Sequence, residues 1–294
     1  MKPKRLSSII SVALLAIMLS ALAACVPAQP IPQTGVEPTL PAGGEPPAVV
    51  IPGLEPEDIL VQLDYEPGFT LPEFRFPFGR TPHFTLLADG RVIFVDEQQD
   101  SKVMVAQLSA EEAAALLEQV REMGFERLQS HTDMCGRLAD GSESCIADAS
   151  TSVMRVRMED GSLREIKNYA NFSNEPQTYD AIFNLLNEFS QADASIYLPH
   201  AATLFVRMAP APEMSSPADW PLDPALVERA ASAAGESVAV VLSAEEAALW
   251  QSVVGVDNMP ITFQLEGQPV AAHFVPWLPG QDFSAEIEAE FPTP

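Results

Sequence analysis

Phe84-Thr85-Leu86-Leu87-Ala88-Asp89-Gly90-Arg91-Val92-Ile93-Phe94-Val95 is the stretch on which the fold turns. Two β-rich runs flank Asp89-Gly90. Asp-Gly in that setting predicts a hairpin, because glycine takes the positive φ that a tight turn demands. Beyond it, residues 103–106 read as a further short strand, and Leu108-Ser109-Ala110-Glu111-Glu112 opens a helix. Ser109 and Glu112 have capping-box spacing, in which each side chain serves a backbone N–H that the helix leaves orphaned. Ala113, Leu116, Leu117, Val120 and Met123 form the apolar stripe. Gly124 suits the left-handed residue that ends a helix, with Phe125 as the hydrophobic contact beyond it.

After a polar loop, Met154, Val156 and Met158 alternate with Arg155 and Arg157, the pattern of a half-buried strand. Asp160-Gly161 turns the chain into residues 163–167. A second helix begins near Pro176, a residue suited to the first turn, and shows Ile182, Leu185, Leu186 and Phe189 on one face. The order hairpin, helix, hairpin, helix implies an α+β fold: an antiparallel sheet with helices on one face. Residues 58–196 are assigned to it.

Residues 197–294 form a smaller α+β unit with an acidic tail. Residues 242–248 repeat 108–114 as Leu-Ser-Ala-Glu-Glu-Ala-Ala, residue for residue. Both copies come after a strand-like run and precede a hairpin, the second with Ile261-Thr262-Phe263-Gln264-Leu265, Glu266-Gly267 and residues 270–275. Seven residues rich in alanine and caps leave open whether this is a true repeat, and so whether the two topologies are related. A short helix is framed by Asp223, Pro224 and Gly235. Prolines 210, 212, 217 and 221 mark a long loop, and the tail from Ala285 is expected to fray. The middle region, with Asp89-Gly90-Arg91-Val92 and Ser109 to Glu112, resembles uncharacterised exported α+β domains with no attached activity. That resemblance bears on fold alone.

The N-terminus reads as an address. Lys2, Lys4 and Arg5 precede an apolar run, 11–24, that is short for a membrane span, and it closes with Leu22-Ala23-Ala24-Cys25. This resembles the lipobox of bacterial lipoproteins. The resemblance implies cleavage after residue 24, a diacylglycerol thioether on Cys25 with further acylation such as palmitate, and a body held at a cell membrane or cell surface outside the cytoplasm. Two or three acyl chains would anchor stably where one is marginal. Val26 does not decide which membrane holds the anchor. Residues 25–57 carry nine prolines (27, 30, 32, 38, 41, 46, 47, 52, 56) and no aromatic or basic residue, which predicts an extended tether.

Formal charge is −25, and losing three basic residues with 1–24 would take it to about −28. A surface this acidic argues against nucleic-acid partners and against electrostatic docking on anionic lipid. Cys135 and Cys145 remain after Cys25 is set aside. An exported pair so spaced favours a disulfide over free thiols or metal ligands, worth about 2–3 kcal/mol.

Catalytic patterns are scarce. His83, His131, His200 and His273 form no His-Glu-x-x-His set, and no nucleophile elbow, P-loop, Gly-x-Gly-x-x-Gly or Ser-x-x-Lys motif occurs. His131 and Asp133, beside the cysteines, are weak metal candidates; Asp133, Asp140 and Glu143 lack regular calcium-loop spacing. No cofactor is implied. Trp250 reads as core, while Trp277, between Pro276 and Leu278-Pro279-Gly280, reads as an exposed contact. The expectation is a non-catalytic module binding an envelope protein or ligand. Two alternatives stand beside it: an envelope-polymer hydrolase with paired carboxylates, and an inhibitor or sensor using the Cys135–Cys145 loop.

Overall fold

The computed structural model describes residues 51–68, 81–96, 102–138, 140–208, 218–220, 222–223, 238–254, 261–265, 268–285 and 287. They all belong to one compact unit, Pro46–Pro294. Cys25, the expected signal segment, the expected tether as far as residue 50, the loop prolines, the expected helix over 224–235 and the expected turn at Glu266-Gly267 lie outside the described residues.

The architecture is α+β. Its larger sheet takes β1 (Ile59–Glu66), β2 (Phe84–Leu87), β3 (Arg91–Asp96), β4 (Lys102–Gln107), β7 (Thr151–Arg157), β8 (Leu163–Tyr169) and β9 (Ser195–Ile196). They run in the order β8-β7-β1-β2-β3-β4-β9, antiparallel throughout. Both expected hairpins are present, and both expected helices: α1 (Ala110–Glu122) and α2 (Pro176–Asn187). The hairpin-helix-hairpin-helix reading has no place for β1, yet β1 joins the two hairpins into one sheet. Val61 lies beside Val156 on one side and Leu86 on the other. The run Ile59-Leu60-Val61-Gln62-Leu63 is continuous rather than alternating because a central strand is covered on both faces.

The α1 capping box forms as expected. Ser109 Oγ accepts from Glu112 N–H at 3.2 Å, and Glu112 Oε2 accepts from Ser109 N–H at 2.9 Å. Gly124 sits at φ 99°, and Phe125 beyond it is fully buried. Ala113, Leu117 and Val120 of α1, with Tyr179, Ile182 and Leu186 of α2, pack on one face of the sheet against Val61, Leu63, Phe84, Phe94, Met154 and Ile166. Each large apolar side chain buried here stabilises the fold by about 1.5–3 kcal/mol.

Leu87, Ile93, Val95 and Val103 point to the opposite face and share a second cluster with Leu204, Leu242, Trp250 and Phe274. Those belong to a second sheet of β10 (Ala201–Met208), β11 (Ala218–Asp219), β12 (Val238–Ser243), β13 (Ile261–Leu265) and β14 (Gln268–Pro276), ordered β11-β13-β14-β10-β12. Helix α3 (Ala244–Val253) starts with the second capping box, formed like the first. The strand-to-helix junction is therefore duplicated. The sheets around it are not, since three strands separate β4 from β7 but only β10 separates β12 from β14.

Two edges differ from expectation. Ile51 and Leu54 pack against the first cluster, and Asp89 N–H donates to the Pro56 carbonyl at 3.1 Å. Residues 51–57 thus lie on the body rather than in the tether; two apolar side chains among the prolines suffice to dock them. At the other end Ile287 is buried and its N–H donates to the Phe283 carbonyl, so the tail is held at least that far.

Candidate functional site

Between α1 and β7 the chain departs from the sheet. Residues 135–137 (β5) and 143–145 (β6) form a separate two-stranded ribbon. Cys135 lies directly opposite Cys145, and a disulfide joins them. The connecting turn is held by Asp140, whose Oδ1 accepts from Ser142 N–H (2.9 Å) and Ser142 Oγ (2.6 Å). Those two bonds hold the Asp140 carboxyl below the ordinary range. Asp160 and Ser162 repeat the geometry in the β7–β8 turn, so Asp140 is explained as a turn residue.

Gly136 faces inward. A Cβ there would stand 2.5 Å from Phe172 Cγ, so only glycine lets the ribbon lie this close to the buried ring. At the ribbon's base, opposite its turn, Met134 is 60 % exposed and Ile146 37 %, and Ile146 N–H donates to the Met134 carbonyl. Arg137 and Glu143 face each other at 3.6 Å in an exposed pair that contributes little to stability.

His131 forms the hinge between ribbon and sheet. Its N–H donates to the Lys167 carbonyl and its own carbonyl accepts from Tyr169 N–H, both at 2.8 Å. Its Nε2 lies 2.8 Å from the Cys135 carbonyl, which only accepts, so Nε2 carries the proton. The ring stands edge-on to Phe172. Between the ribbon and the 129–131 and 173–174 segments opens a cleft of about 620 Å³, within the roughly 300–1,000 Å³ typical of ligand sites.

Backbone strain gathers beside this cleft. Among the described residues, the non-glycine positions with left-handed φ are Asp148 (61°), Ala170 (52°) and Asn171 (59°). Each costs on the order of 1 kcal/mol and persists only where surroundings enforce it. Here Ala170 N–H donates to the Ser150 carbonyl and Ala149 N–H to Tyr169 Oη, both at 2.9 Å. Behind them Tyr179 Oη bonds to Ser152 Oγ and to Asn171 Oδ1. Burial pushes the Tyr179 hydroxyl well above its usual range, so it stays protonated. Asn168 is fully buried, and neither atom of its side-chain amide has a partner among the described residues.

The sequence candidates fare unevenly. Cys135 and Cys145 meet as expected. His131 and Asp133 join no metal cluster: among the described residues no three His, Cys, Asp or Glu side chains stand close enough to hold an ion. Trp277 corrects the expectation of an exposed contact. It is 3 % exposed, donates Nε1–H to Thr203 Oγ1 at 2.8 Å, and its carbonyl accepts from Tyr197 Oη at 2.7 Å. The flanking prolines imitate a surface loop, but the indole is buried against Thr203, His200 and Phe283. Trp250 is core, stacked on Phe274 and edge-on to Trp220. His83 is interior, with Nε2 3.0 Å from the Asn187 carbonyl. Sequence reasoning missed Gly136, Phe172 and the left-handed pair at 170–171. Only Gly136, placed directly after a cysteine, carried any signal. No helix of the described residues is long and apolar enough to cross a membrane. No protein-family model, curated protein or solved structure matches the chain.

Proposed function

We propose that this protein is a lipid-anchored envelope protein whose body acts as a non-catalytic binding module, with the disulfide ribbon and its cleft as the contact region. The anchor rests on Leu22-Ala23-Ala24-Cys25 and the proline-rich segment after it. The contact region rests on one observation. Both halves of the body run from a strand through the same capped helix to a hairpin, and only the first inserts residues 123–150 before its hairpin. The second spans the same step with residues 254–260. That insertion carries the disulfide, the exposed Met134 and Ile146, and one wall of the cleft. Its first residues serve the core, with Phe125 and Leu128 buried in the first cluster, but the ribbon that follows belongs to neither cluster. Exposed apolar side chains on such a rigid support suit a partner.

Two experiments test this reading. Cells fed a tagged palmitate should label the wild-type protein and not Cys25→Ser; equal labelling of both removes the anchor. Full-length protein extracted in detergent should retain a stoichiometric partner that is lost in Met134→Lys/Ile146→Lys. If the purified protein instead turns over an envelope polymer at an enzymatic rate, the non-catalytic reading falls.

A further inference from the structure

The chemistry of the cleft narrows what it takes, granted the proposal that it is a contact site. Its lining offers hydroxyls and amides rather than unbalanced charge: Gln129, Ser130, His131, Ser144, Ser173 and Asn174. Two of these are already committed. Asn174 Nδ2 donates to the Arg127 carbonyl and its Oδ1 accepts from Gln129 N–H, while His131 Nε2–H is spent on Cys135. Ser130 Oγ accepts from Lys167 N–H at 3.0 Å, and Ser173 Oγ accepts from Glu175 N–H at 3.2 Å. Each of those hydroxyls keeps its proton to donate, and Ser173 does so from a site only 4 % exposed. Among the described residues the Gln129 amide and the Ser144 hydroxyl have no protein partner, so they present donors and acceptors together. The single charged pair of the lining, Arg137 and Glu143, neutralises itself.

An anionic ligand would find no uncompensated cation here and would enter the field of a chain of net charge −25. A cationic one would find no free carboxylate in the lining. An apolar one would leave these hydroxyls and amides without water. A neutral ligand dense in hydroxyls satisfies all of them. We infer that the cleft binds an uncharged saccharide chain, held by the Ser130 and Ser173 hydroxyls as donors and by Gln129 and Ser144 as two-way partners. The cleft is open and wet, so affinity belongs on the order of 10⁻⁴ to 10⁻³ M.

The test is amide-resolved NMR of the ¹⁵N-labelled full-length protein in detergent, titrated separately with N-acetylchitotetraose, maltotetraose and tetragalacturonate. At least one neutral oligosaccharide should give saturable shifts at residues 129–131, 144 and 173–174. Gln129→Ala and Ser144→Ala, which break no protein hydrogen bond among the described residues, should each weaken it by about 2- to 10-fold, the worth of one neutral hydrogen bond. The acidic tetramer should bind more weakly than the neutral ones. Absence of saturable shifts at those residues with both neutral probes overturns the inference, as does tighter binding of tetragalacturonate. If the neutral probes fail while Met134→Lys/Ile146→Lys still abolishes partner retention, the saccharide is wrong and the contact region stands. If both fail, both fall.

Discussion

Residues 108–114 and 242–248 are the same seven amino acids in the same local structure, yet the chain beyond them takes two different courses. At both, a serine caps a helix and a glutamate three residues on reaches back, with closely similar N-cap angles of −64°, 159° and −66°, 167°. After α1 the chain makes a left-handed exit at Gly124 and builds the ribbon before entering β7, the hairpin strand that lies inward next to β1. After α3 it goes to β13, and there the second hairpin strand, β14, lies inward. A capping box thus specifies a helix start and nothing beyond it. Strand order is settled by which apolar faces meet, and the addition that separates the halves carries the disulfide, one wall of the cleft and the left-handed Asp148.

The largest effect should come from breaking the core under the second copy. Trp250→Ala removes a 1 %-exposed indole packed on Trp220, Phe263 and Phe274, and should cost about 3–5 kcal/mol in denaturant unfolding. Because the cluster takes in Leu87 and Ile93 of the first sheet, a single transition should move as a whole. A second-sheet transition moving alone would mean that the halves fold independently. Next, Cys135→Ser/Cys145→Ser should lose about 2–3 kcal/mol, the value of closing a loop with sequence separation 10; an unchanged midpoint would mean that the ribbon is already frayed in the folded protein.

Ser109→Ala and Ser243→Ala sharpen the comparison directly. Each should cost about 1 kcal/mol, and the double variant should equal their sum within about 0.5 kcal/mol. A loss at one site alone would show that identical caps differ in weight. The smallest effect concerns Asp180, on α2. Burial raises its carboxyl pKa above the ordinary 3.8, so folding favours the protonated form and the charge costs stability above the folded pKa. Asp180→Asn should therefore stabilise at pH 7 by up to about 0.5 kcal/mol, with the gain vanishing as pH falls below 3.8. A gain independent of pH would assign the effect to packing.

The features legible in the sequence were local ones. The Asp89-Gly90 turn, both capping boxes, Gly124 with Phe125, and the Met154/Val156 alternation each depend on neighbours within a few positions. The place of β1 between two hairpins, and the pairing of β9 with β4, depend on partners far along the chain. No short window holds that information. The same division runs through the site. The cysteine pair was legible from its spacing and from the expectation of export. The approach of Gly136 to Phe172, and the left-handed Ala170 and Asn171, were not, because they result from how the ribbon is laid on the sheet. Trp277 failed for a related reason: its partners Thr203 and Tyr197 lie more than seventy residues away.

The measurement closest to the central claim compares one position from each half in living cells. A photo-crosslinking amino acid is placed at Ile146 on the ribbon, or at Leu249, which is 47 % exposed on α3. A contact region on the ribbon predicts discrete adducts from position 146 and background from 249. Adducts from 249 with none from 146 would contradict it, and would move the contact region from the insertion to α3 of the second half.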